Sequence, residues 1–455
     1  MQQRMQRTAH AVVDFSVLIL VFVVVFMLIC VASARAAPPT PEFMAAKQAF
    51  TIQMRKKQPA MRVTAVTTVA DVIQPETAEL LLKRGITDDD ASVQQAARIA
   101  LKQLADDRSV RQYLLTEIKK SFRKQSPDEV TIELFRALIV TDDEERQAEM
   151  MKVLDDYLSS SKGNPLAPMI VIDDLGVQDD AEAARVVKLL STSKAFDANF
   201  GYRRCVVQAM SKIRQSEAVD FLIEILPKTQ GLIQHDVIQY LTRLTKQKFR
   251  DNDREWNTWW KENQRAFEFP AAGVALPEIA NDEQQLSYYG IPICAKRIVF
   301  ALDTSASMRG LPFEAAKIAL LKAVDSLPEA VAFDLVFFDA NAQSWLPRLV
   351  PATKDAKREA SRIIVERGLK LGTASNEALN AAFGLEPEAI YFLSDGEPTD
   401  GAPPAIVNAI SRMNKTRRIS IHTIGVVTQR NGGAGLTMFM QPLANRNYGT
   451  FRLVE

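Results

Sequence analysis

The sequence predicts an exported, multidomain protein in which an α-helical solenoid precedes an α/β domain with a doubly wound, mostly parallel sheet. Three observations lead to this prediction. The N-terminus carries an apolar segment, residues 41–265 show helical periodicity, and from residue 285 strand-like apolar runs alternate with amphipathic helices. A chain of 455 residues is also too long for one ordinary domain.

Residues 1–36 predict a signal peptide or a signal anchor. Arg4 and Arg7 precede the charge-free apolar run 15–31, and small residues of the pattern Ala-x-Ala follow it at Ala34 and Ala36. The run is longer than the apolar part of most signal peptides and approaches the roughly 20 residues that span a bilayer. Cleavage and retention as a membrane anchor therefore both stay open. In either case the basic start orients the remaining chain outward, so the working part is expected to be exported.

The stretch ASVQQAARIALKQLADD has one apolar helical face. Its inner residues recur at intervals of three and four: Val93, Ala96, Ala97, Ala100, Leu101 and Leu104. Asp88, Asp89 and Asp90 precede it and are candidate N-caps.

The stretch YRRCVVQAMSKIRQSEAVDFLIEILPK repeats the pattern in two helices. Their predicted inner residues are Cys205, Val206, Ala209, Met210 and Ile213, followed by Val219, Leu222, Ile223 and Leu226. Helix pairs that stack in this way form α-solenoids, and residues 41–265 resemble HEAT-type repeats. No strict period links the copies, so a plain helical bundle remains an alternative.

Trp256, Trp259 and Trp260 share one face of the last predicted helix. We interpret this helix as a cap that buries the tryptophans on the final repeat; a ligand platform is the alternative. Residues 266–284 then lose periodicity and contain several Pro and Gly residues, which predicts a linker.

From residue 285 to 455 the runs RIVFALD, VAFDLVFFD, AIYFLSD and ISIHTIGVV alternate with helical stretches such as PFEAAKIALLKAVDSL and APPAIVNAISRM. This alternation predicts a mostly parallel sheet covered on both faces. Ligands bind such sheets at the carboxyl ends of the strands. The segment GLTMFMQPLANRNYGTFRLV is expected to supply the last helix and the final strand.

Asp303, Ser305 and Ser307 follow the first of these runs in the pattern D-x-S-x-S. A carboxylate and hydroxyls around one small space suit a hard cation such as Mg²⁺. Alone, the pattern is equally compatible with serines that cap the following helix.

Two further stretches decide between these readings. LGTASNEAL places Thr373 ahead of a helix, and LSDGEPTDG places Asp395 at a strand end. With D-x-S-x-S, these features resemble a von Willebrand factor A-type domain with its metal-ion-dependent adhesion site, over about residues 285–455.

The resemblance implies that the hydroxyls of Ser305, Ser307 and Thr373 bind Mg²⁺, or Mn²⁺ or Ca²⁺ in its place, and that Asp303 and Asp395 act directly or through bound water. It further implies that an acidic side chain of a protein partner completes the coordination. Two residues depart from the family pattern: Ala306 stands where glycine is common, and Ala374 where asparagine or proline is frequent. Neither change removes a ligand.

Several other residues near these motifs are given structural interpretations. Asp339 is interpreted as a turn residue, Asp400 as a helix N-cap and His422 as a buried core residue. Cys205 and Cys294 are interpreted as isolated thiols because they belong to different predicted domains.

Composition excludes several classes of function. A formal charge of +1 provides no field for nucleic acid, and three cysteines with three histidines exclude a disulfide scaffold and disfavour a zinc site. No nucleophile–base pair or phosphate-binding glycine loop is recognisable, so we expect a binding protein rather than an enzyme. The signal and the low cysteine count fit a bacterial exported adhesion or scaffold protein. The alternative is a structural cell-envelope protein that binds through its helical repeats and has a vestigial metal site.

Overall fold

The computed structural model describes residues 40–124, 127–161, 163–271, 274–277, 286–396, 398–428 and 434–454. The predicted signal peptide or anchor lies outside these ranges. Within them, no helix is both long enough and apolar enough to cross a membrane.

The chain divides into two compact units, Met1–Val110 and Arg111–Glu455. The first contains helices α1 (Pro41–Gln53), α2 (Pro59–Ala70), α3 (Pro75–Leu80, continued by a π-helical turn, Leu81–Gly85) and α4 (Ala91–Leu104). Helix α4 packs against α2, and the predicted inner face of α4 is buried, apart from the half-exposed Ala96.

Only one of the three predicted aspartates caps α4. The carboxylate of Asp90 accepts the amide of Ser92 at 2.9 Å. Asp88 and Asp89 instead form ion pairs with the guanidinium of Arg62, each at 2.9 Å. Sequence spacing could not distinguish the cap from the ion-pair partners because Arg62 lies on another helix.

The second unit begins within α5 and continues through a series of helices. These are α5 (Arg108–Ser121), α6 (Glu129–Ile139), α7 (Glu144–Leu158), α8 (Leu166–Gln178), α9 (Ala181–Leu190), α10 (Lys194–Ala198), α11 (Phe200–Met210), α12 (Ser216–Ile225), α13 (Gly231–Thr245) and α14 (Asp253–Asn263). Every inner residue predicted for α11 and α12 is buried. The helical character is confirmed, whereas the assignment to HEAT-type repeats stays a prediction.

Helix α14 buries two of its three tryptophans. Trp256 and Trp260 are almost inaccessible to solvent, and Trp259 is half-buried. The indole of Trp260 donates to Asp220 of α12 at 2.8 Å, and its ring contacts Phe267 edge to face. These contacts favour the capping interpretation over a ligand platform.

The remaining elements form the predicted α/β fold. In chain order they are β1 (Ser287–Tyr288), β2 (Ile291–Pro292), β3 (Arg297–Asp303), α15 (Leu311–Ser326), β4 (Ala332–Phe338), β5 (Ala342–Ser344), β6 (Val350–Pro351), α16 (Lys354–Glu366), α17 (Ser375–Gly384), β7 (Ala389–Ser394), α18 (Pro403–Asn414), β8 (Ser420–Val426), α19 (Ala434–Asn445) and β9 (Phe451–Val454). The final helix and strand lie in the predicted segment.

Among the described residues the sheet has seven strands, in the order β5-β4-β3-β7-β8-β9 with β6 also paired to β4. The pairs β3–β4, β3–β7, β7–β8 and β8–β9 are parallel, and β5 and β6 run antiparallel to β4. Separate apolar clusters cover the two faces of the sheet. Side chains of β3 alternate between these clusters, which explains its unbroken apolar sequence.

Helices α11 and α13 pack on the amino-terminal edge of the sheet. Arg204 donates to the carbonyl of Arg418 at 2.6 Å and to the hydroxyl of Ser420 at 2.9 Å. Gly201 approaches so closely that a Cβ atom there would lie 2.0 Å from the carbonyl oxygen of Thr416. Leu232 of α13 joins the core on one face of the sheet.

The predicted domain limits, with a linker at 266–284, stay predictions. In that stretch, residues 267–271 and 274–277 have neither helix nor strand. The helices from Arg111 onward belong to the same compact unit as the α/β fold. The contacts of Arg204 and Leu232 with the sheet join the two parts.

Candidate metal centre

The candidate centre lies where two adjacent parallel strands end. Strand β3 ends at Asp303, and its neighbour β7 ends at Ser394, just before Asp395. Parallel pairing brings both carboxyl ends to the same edge of the sheet. Both aspartates are almost fully buried.

A short loop brings the two predicted serines to these carboxylates. Ser305 is extended, and residues Ala306–Met308 form one 3₁₀ turn whose Met308 side chain is fully buried in the core. The hydroxyl oxygens of Ser305 and Ser307 lie 2.8 Å apart, and the hydroxyl of Ser307 donates to Asp395 Oδ1 at 2.8 Å. The amide of Ser305 donates to Asp303 Oδ1 at 2.7 Å. Four of the five predicted ligands thus form one hydrogen-bonded group.

Thr373 lies on a neighbouring loop and is buried. That loop joins the serine loop through a parallel β-bridge between Ser305 and Lys370. Thr373 is also paired with the loop that follows Asp395, because its amide donates to the hydroxyl of Thr399 and its carbonyl accepts the amide of Thr399, both at 2.9 Å. These contacts place Thr373 between the two loops that carry the other predicted ligands.

Two residues that support the site were not assigned to it from the sequence. The hydroxyl of Ser394 donates to Asp303 Oδ2 at 2.5 Å. Asp339 is buried beyond the end of β4; its carboxylate accepts from Thr304 and Arg367, both at 3.3 Å, and its carbonyl accepts the amide of Ala374 at 2.7 Å. Asp339 therefore lies in a turn, as predicted, but it also fixes the loop of Thr373. Its position at the end of a third strand at the same edge was the available signal.

Asp400 and Ala374 both belong to the start of α17. Asp400 accepts the amides of Asn376 and Glu377 at 3.2 and 2.9 Å. It therefore caps α17, which begins just after Thr373, and not the helix that follows it in sequence. Ala374 takes the N-cap position of α17 without a side-chain hydrogen bond, so Asp400 supplies the missing acceptor.

Electrostatics at the site favour a bound cation. The pKa of Asp303 is raised to about 7. Burial is the main cause, hydrogen bonds from Ser394 and Ser305 offset part of the rise, and the nearby carboxylate of Asp395 adds to it. A positive charge at this position would offset both the desolvation of Asp303 and its repulsion by Asp395.

The donor set also fits a hard ion. Two carboxylates and three hydroxyls supply only oxygen atoms, which Mg²⁺ prefers, and few enough of them to leave positions for water or an external ligand. Within the described residues there is no cluster of three or more His, Cys, Asp or Glu side chains that could hold a metal. A site rich in hydroxyls is consistent with that finding. The residues present therefore fit Mg²⁺ better than Zn²⁺.

Comparison with known proteins agrees with this fold. A family model described as von Willebrand factor type A domain matches residues 296–453. Inter-alpha-trypsin inhibitor heavy chain H1 of Mesocricetus auratus is 38% identical over 122 residues, which cover 24% of this chain and 13% of that protein. Inter-alpha-trypsin inhibitor heavy chain H4 of Homo sapiens is 31% identical over 181 residues, which cover 36% of this chain and 19% of that protein.

A solved structure of a von Willebrand factor type A protein from Catenulispora acidiphila shares 20% identity with a TM-score of 0.31, covering 36% of this chain and 40% of that one. This chain spans only 13% and 19% of the length of the two heavy chains. The range matched by the family model lies within the α/β fold that carries the candidate centre. Residues 296–453 form a von Willebrand factor type A domain.

Proposed function

We propose that this domain binds a divalent cation, Mg²⁺ by preference, and through it an acidic side chain of a protein partner. The observation that carries the proposal is the hydrogen-bonded group of Asp303, Ser305, Ser307 and Asp395, which gathers oxygen atoms from two strand ends and one loop. Thr373, on the adjoining loop, is the fifth proposed ligand. When bound, the ion supplies an incompletely neutralised positive charge that attracts an external carboxylate.

The chain's own residues prepare the site for this role. Ser394 holds one oxygen of Asp303 and the amide of Ser305 holds the other, so the carboxylate is oriented before any ion arrives. The hydroxyls of Ser305 and Ser307 are neutral. A bound divalent ion would therefore keep more of its charge than in a site built from carboxylates alone.

The surface beside the site is suited to a protein partner. Leu371, which precedes Gly372 in the loop of Thr373, is 78% exposed. Leu311, at the start of α15, is 86% exposed. The side chain of Lys370 is 68% exposed. Exposed apolar side chains with a neighbouring cation suit a partner segment that carries an acidic residue among apolar ones.

We further propose that the protein is exported and acts as an adhesion or scaffold component rather than as an enzyme. The predicted signal or anchor in residues 1–36 supports export. Among the described residues the candidate centre has no histidine that could serve as a base, because His235 and His422 lie at the opposite edge of the sheet.

The first test is calorimetric titration of the full-length protein with Mg²⁺ and Mn²⁺. Wild type is expected to bind saturably, and Ser305→Ala to lose that binding while remaining folded. Ser326→Ala is the matched control, because in the part of the chain that the structure describes its hydroxyl donates to the carbonyl of Lys322 alone, at the end of α15. Folded wild-type protein that binds neither ion would contradict the proposal and would favour a structural role for the helical region.

The second test concerns the partner. Immobilised full-length protein is expected to retain its partner in Mg²⁺ and to release it on chelation, whereas Ser305→Ala retains none. Amidation of the partner's carboxylates should abolish retention by wild type. Equal retention by wild type and Ser305→Ala would place the binding surface elsewhere.

A further inference from the structure

A second polar cavity lies at the opposite edge of the sheet from the candidate metal centre. It is half open, has a volume of about 280 Å³, and is lined by α11 and α13, by β2, by the amino-terminal ends of β7 and β8, and by β9. The charged and imidazole side chains that line it are Arg204, His235, Asp236, Arg243, His422 and Arg452.

Positive charge exceeds negative charge around this cavity. Arg204 and Asp236 form an ion pair at 2.8 Å and largely neutralise each other. Within the described ranges, Arg243 donates to neutral groups alone, the carbonyls of Pro277 and Leu276 at 2.9 and 2.8 Å. Arg452 is exposed at the edge of the cavity and forms no ion pair with the part of the chain that the structure describes. Two guanidinium charges are therefore left for a ligand.

The two imidazoles add neutral hydrogen-bond donors. His422 Nδ1 accepts the amide of Thr450 at 3.1 Å, so its proton is on Nε2. Burial lowers the pKa of His422 to about 3 and also lowers the pKa of His235, with Arg204 adding to both shifts. Neither His422 Nε2 nor either nitrogen of His235 hydrogen-bonds to another described residue. His422 is thus a partly buried strand residue that stacks on Tyr391, and it also contributes to the lining of the cavity.

The size and chemistry of the cavity select one class of ligand. Surplus guanidinium charge repels cations, and the described residues contain no cluster of His, Cys, Asp and Glu able to hold a metal. Guanidinium forks and N–H donors match tetrahedral oxyanions, and a few hundred Å³ suffices for a small one. We propose that this cavity binds a small tetrahedral oxyanion group, phosphate or sulfate, either free or as a small monoester.

Such a ligand would join the helical region to the sheet. Arg243 and His235 belong to α13, whereas His422 and Arg452 belong to β8 and β9. An anion held by all four would add a bridge beside the direct hydrogen bonds from Arg204 to Arg418 and Ser420. Binding is therefore expected to raise the melting temperature of the protein in proportion to the logarithm of anion concentration above the Kd.

The chain offers a direct readout because it has three histidines, His10, His235 and His422. Imidazole NMR resonances of the full-length protein are followed during titration with inorganic phosphate, sulfate and methyl phosphate at constant ionic strength, with chloride as the reference anion. We expect saturable shifts of His235 and His422 and none of His10. A tighter Kd for methyl phosphate than for phosphate would identify a monoester site, and the reverse a site for the free ion.

The variants Arg243→Gln and Arg452→Gln are each expected to weaken phosphate binding by about tenfold, the usual effect of one charge-assisted hydrogen bond. Arg362→Gln is the matched control, because Arg362 lies on α16 and its ion pairs with described residues are to Glu359 and Glu366 on its own helix. Shifts that do not saturate, that chloride reproduces, or that persist unchanged in both cavity variants would overturn the proposal.

Discussion

At the scale of single residues, the sheet buries two aspartates, Asp303 and Asp334, whose pKa values are raised. Asp303 is fully enclosed, and burial raises its pKa from 3.8 to about 7. Asp334 on β4 is the natural comparison, since it is also buried and its pKa is raised to about 7. Its hydrogen-bond donors among the described residues are backbone amides, that of Leu346 at 3.1 Å among them. The pKa of both residues is raised chiefly by burial, and of the two it is Asp303 that belongs to the candidate metal centre.

The raised pKa values of Asp303 and Asp334 predict how the stability of the fold depends on pH. Below pH 3.8 the carboxyl of Asp303 is protonated in both the folded and the unfolded state. As pH rises from there to about 7 the unfolded chain releases its proton first, so without metal the free energy of unfolding falls, by roughly 4 kcal/mol per residue. In chelator, both Asp303→Asn and Asp334→Asn should reduce the fall in melting temperature between pH 4 and pH 8.

The melting temperatures of Asp303→Asn and Asp334→Asn should respond differently to Mg²⁺. At pH 8, Mg²⁺ should raise the melting temperature of wild type and Asp334→Asn, because the ion offsets the charge of Asp303. Asp303→Asn should not respond. Thermal denaturation with and without Mg²⁺ measures this, and an equal response of both variants would argue against Asp303 as a ligand.

Leu371 is the residue whose substitution should affect partner binding alone. It is 78% exposed and lies in the loop of Thr373, two residues before Thr373 itself. Leu371→Asn is expected to weaken partner retention about fivefold, the effect of losing one apolar contact at an interface, with unchanged affinity for Mg²⁺. Ile318→Asn, at a 65% exposed position in the middle of α15, is the control. Retention that falls equally in both variants would indicate a general loss of surface apolarity.

At the scale of elements, the loop before α17 is the most constrained part of the candidate centre. Gly372 has a φ of 91°, and a Cβ atom there would lie 2.7 Å from the Cα atom of Ala340. Only glycine combines that conformation with that approach. The loop therefore can place Thr373 beside Thr399 only because residue 372 has no side chain.

We expect Gly372→Ala to destabilise the fold by about 1–3 kcal/mol and to weaken Mg²⁺ binding, because Thr373 must move. Gly368→Ala is the control, since a Cβ atom at that loop position meets nothing within 4 Å. Urea denaturation and calorimetric titration measure the two effects. Unchanged Mg²⁺ affinity in a destabilised Gly372→Ala protein would remove Thr373 from the proposed ligands.

Sequence alone could predict some of these elements and their positions, but not all of them. Long apolar runs that end in an acid identified β3 and β7 and their shared edge, because parallel pairing follows from the alternation of strands and helices. The contacts of Ser394 and Asp339 were not predictable, since their partners depend on which loops meet in space. Short edge strands such as β5 carry no periodic signal. The role of Asp400 needed the structure too, because it caps a helix that precedes it in the chain.

At the scale of the whole molecule, the unit Arg111–Glu455 joins helices and sheet through contacts that no local pattern reveals. The hydrogen bond from Arg204 to Ser420 spans residues 216 positions apart. Both guanidinium groups of Arg204 and Arg418 also lie over the ring of Tyr448, at 5.4 and 5.3 Å. Such buried, partnered cations are costly to separate, so helices α11 and α13 are integral to the unit.

This packing predicts a single unfolding transition for Arg111–Glu455. Gly201→Ala should break it, because the added Cβ atom would lie 2.0 Å from the backbone oxygen of Thr416. We expect this variant to unfold in two calorimetric steps, with the helices losing protection from hydrogen exchange first. Gly384→Ala, where a Cβ atom meets nothing within 4 Å, should retain one step. One step in both variants would show that the contact is not needed for cooperativity.

The position of the helices also determines how the unit would carry mechanical load. A partner bound at the carboxyl edge pulls on one end of β3 and β7, while α11 and α13 hold the sheet at the other end. The load then runs along the strands, and the ladder bonds that join β3 to β7 and β7 to β8 are sheared side by side. Bonds loaded in this way must break together, whereas bonds loaded across a sheet open one at a time. A protein built like this would yield at the helix–sheet contacts before its central strands separate.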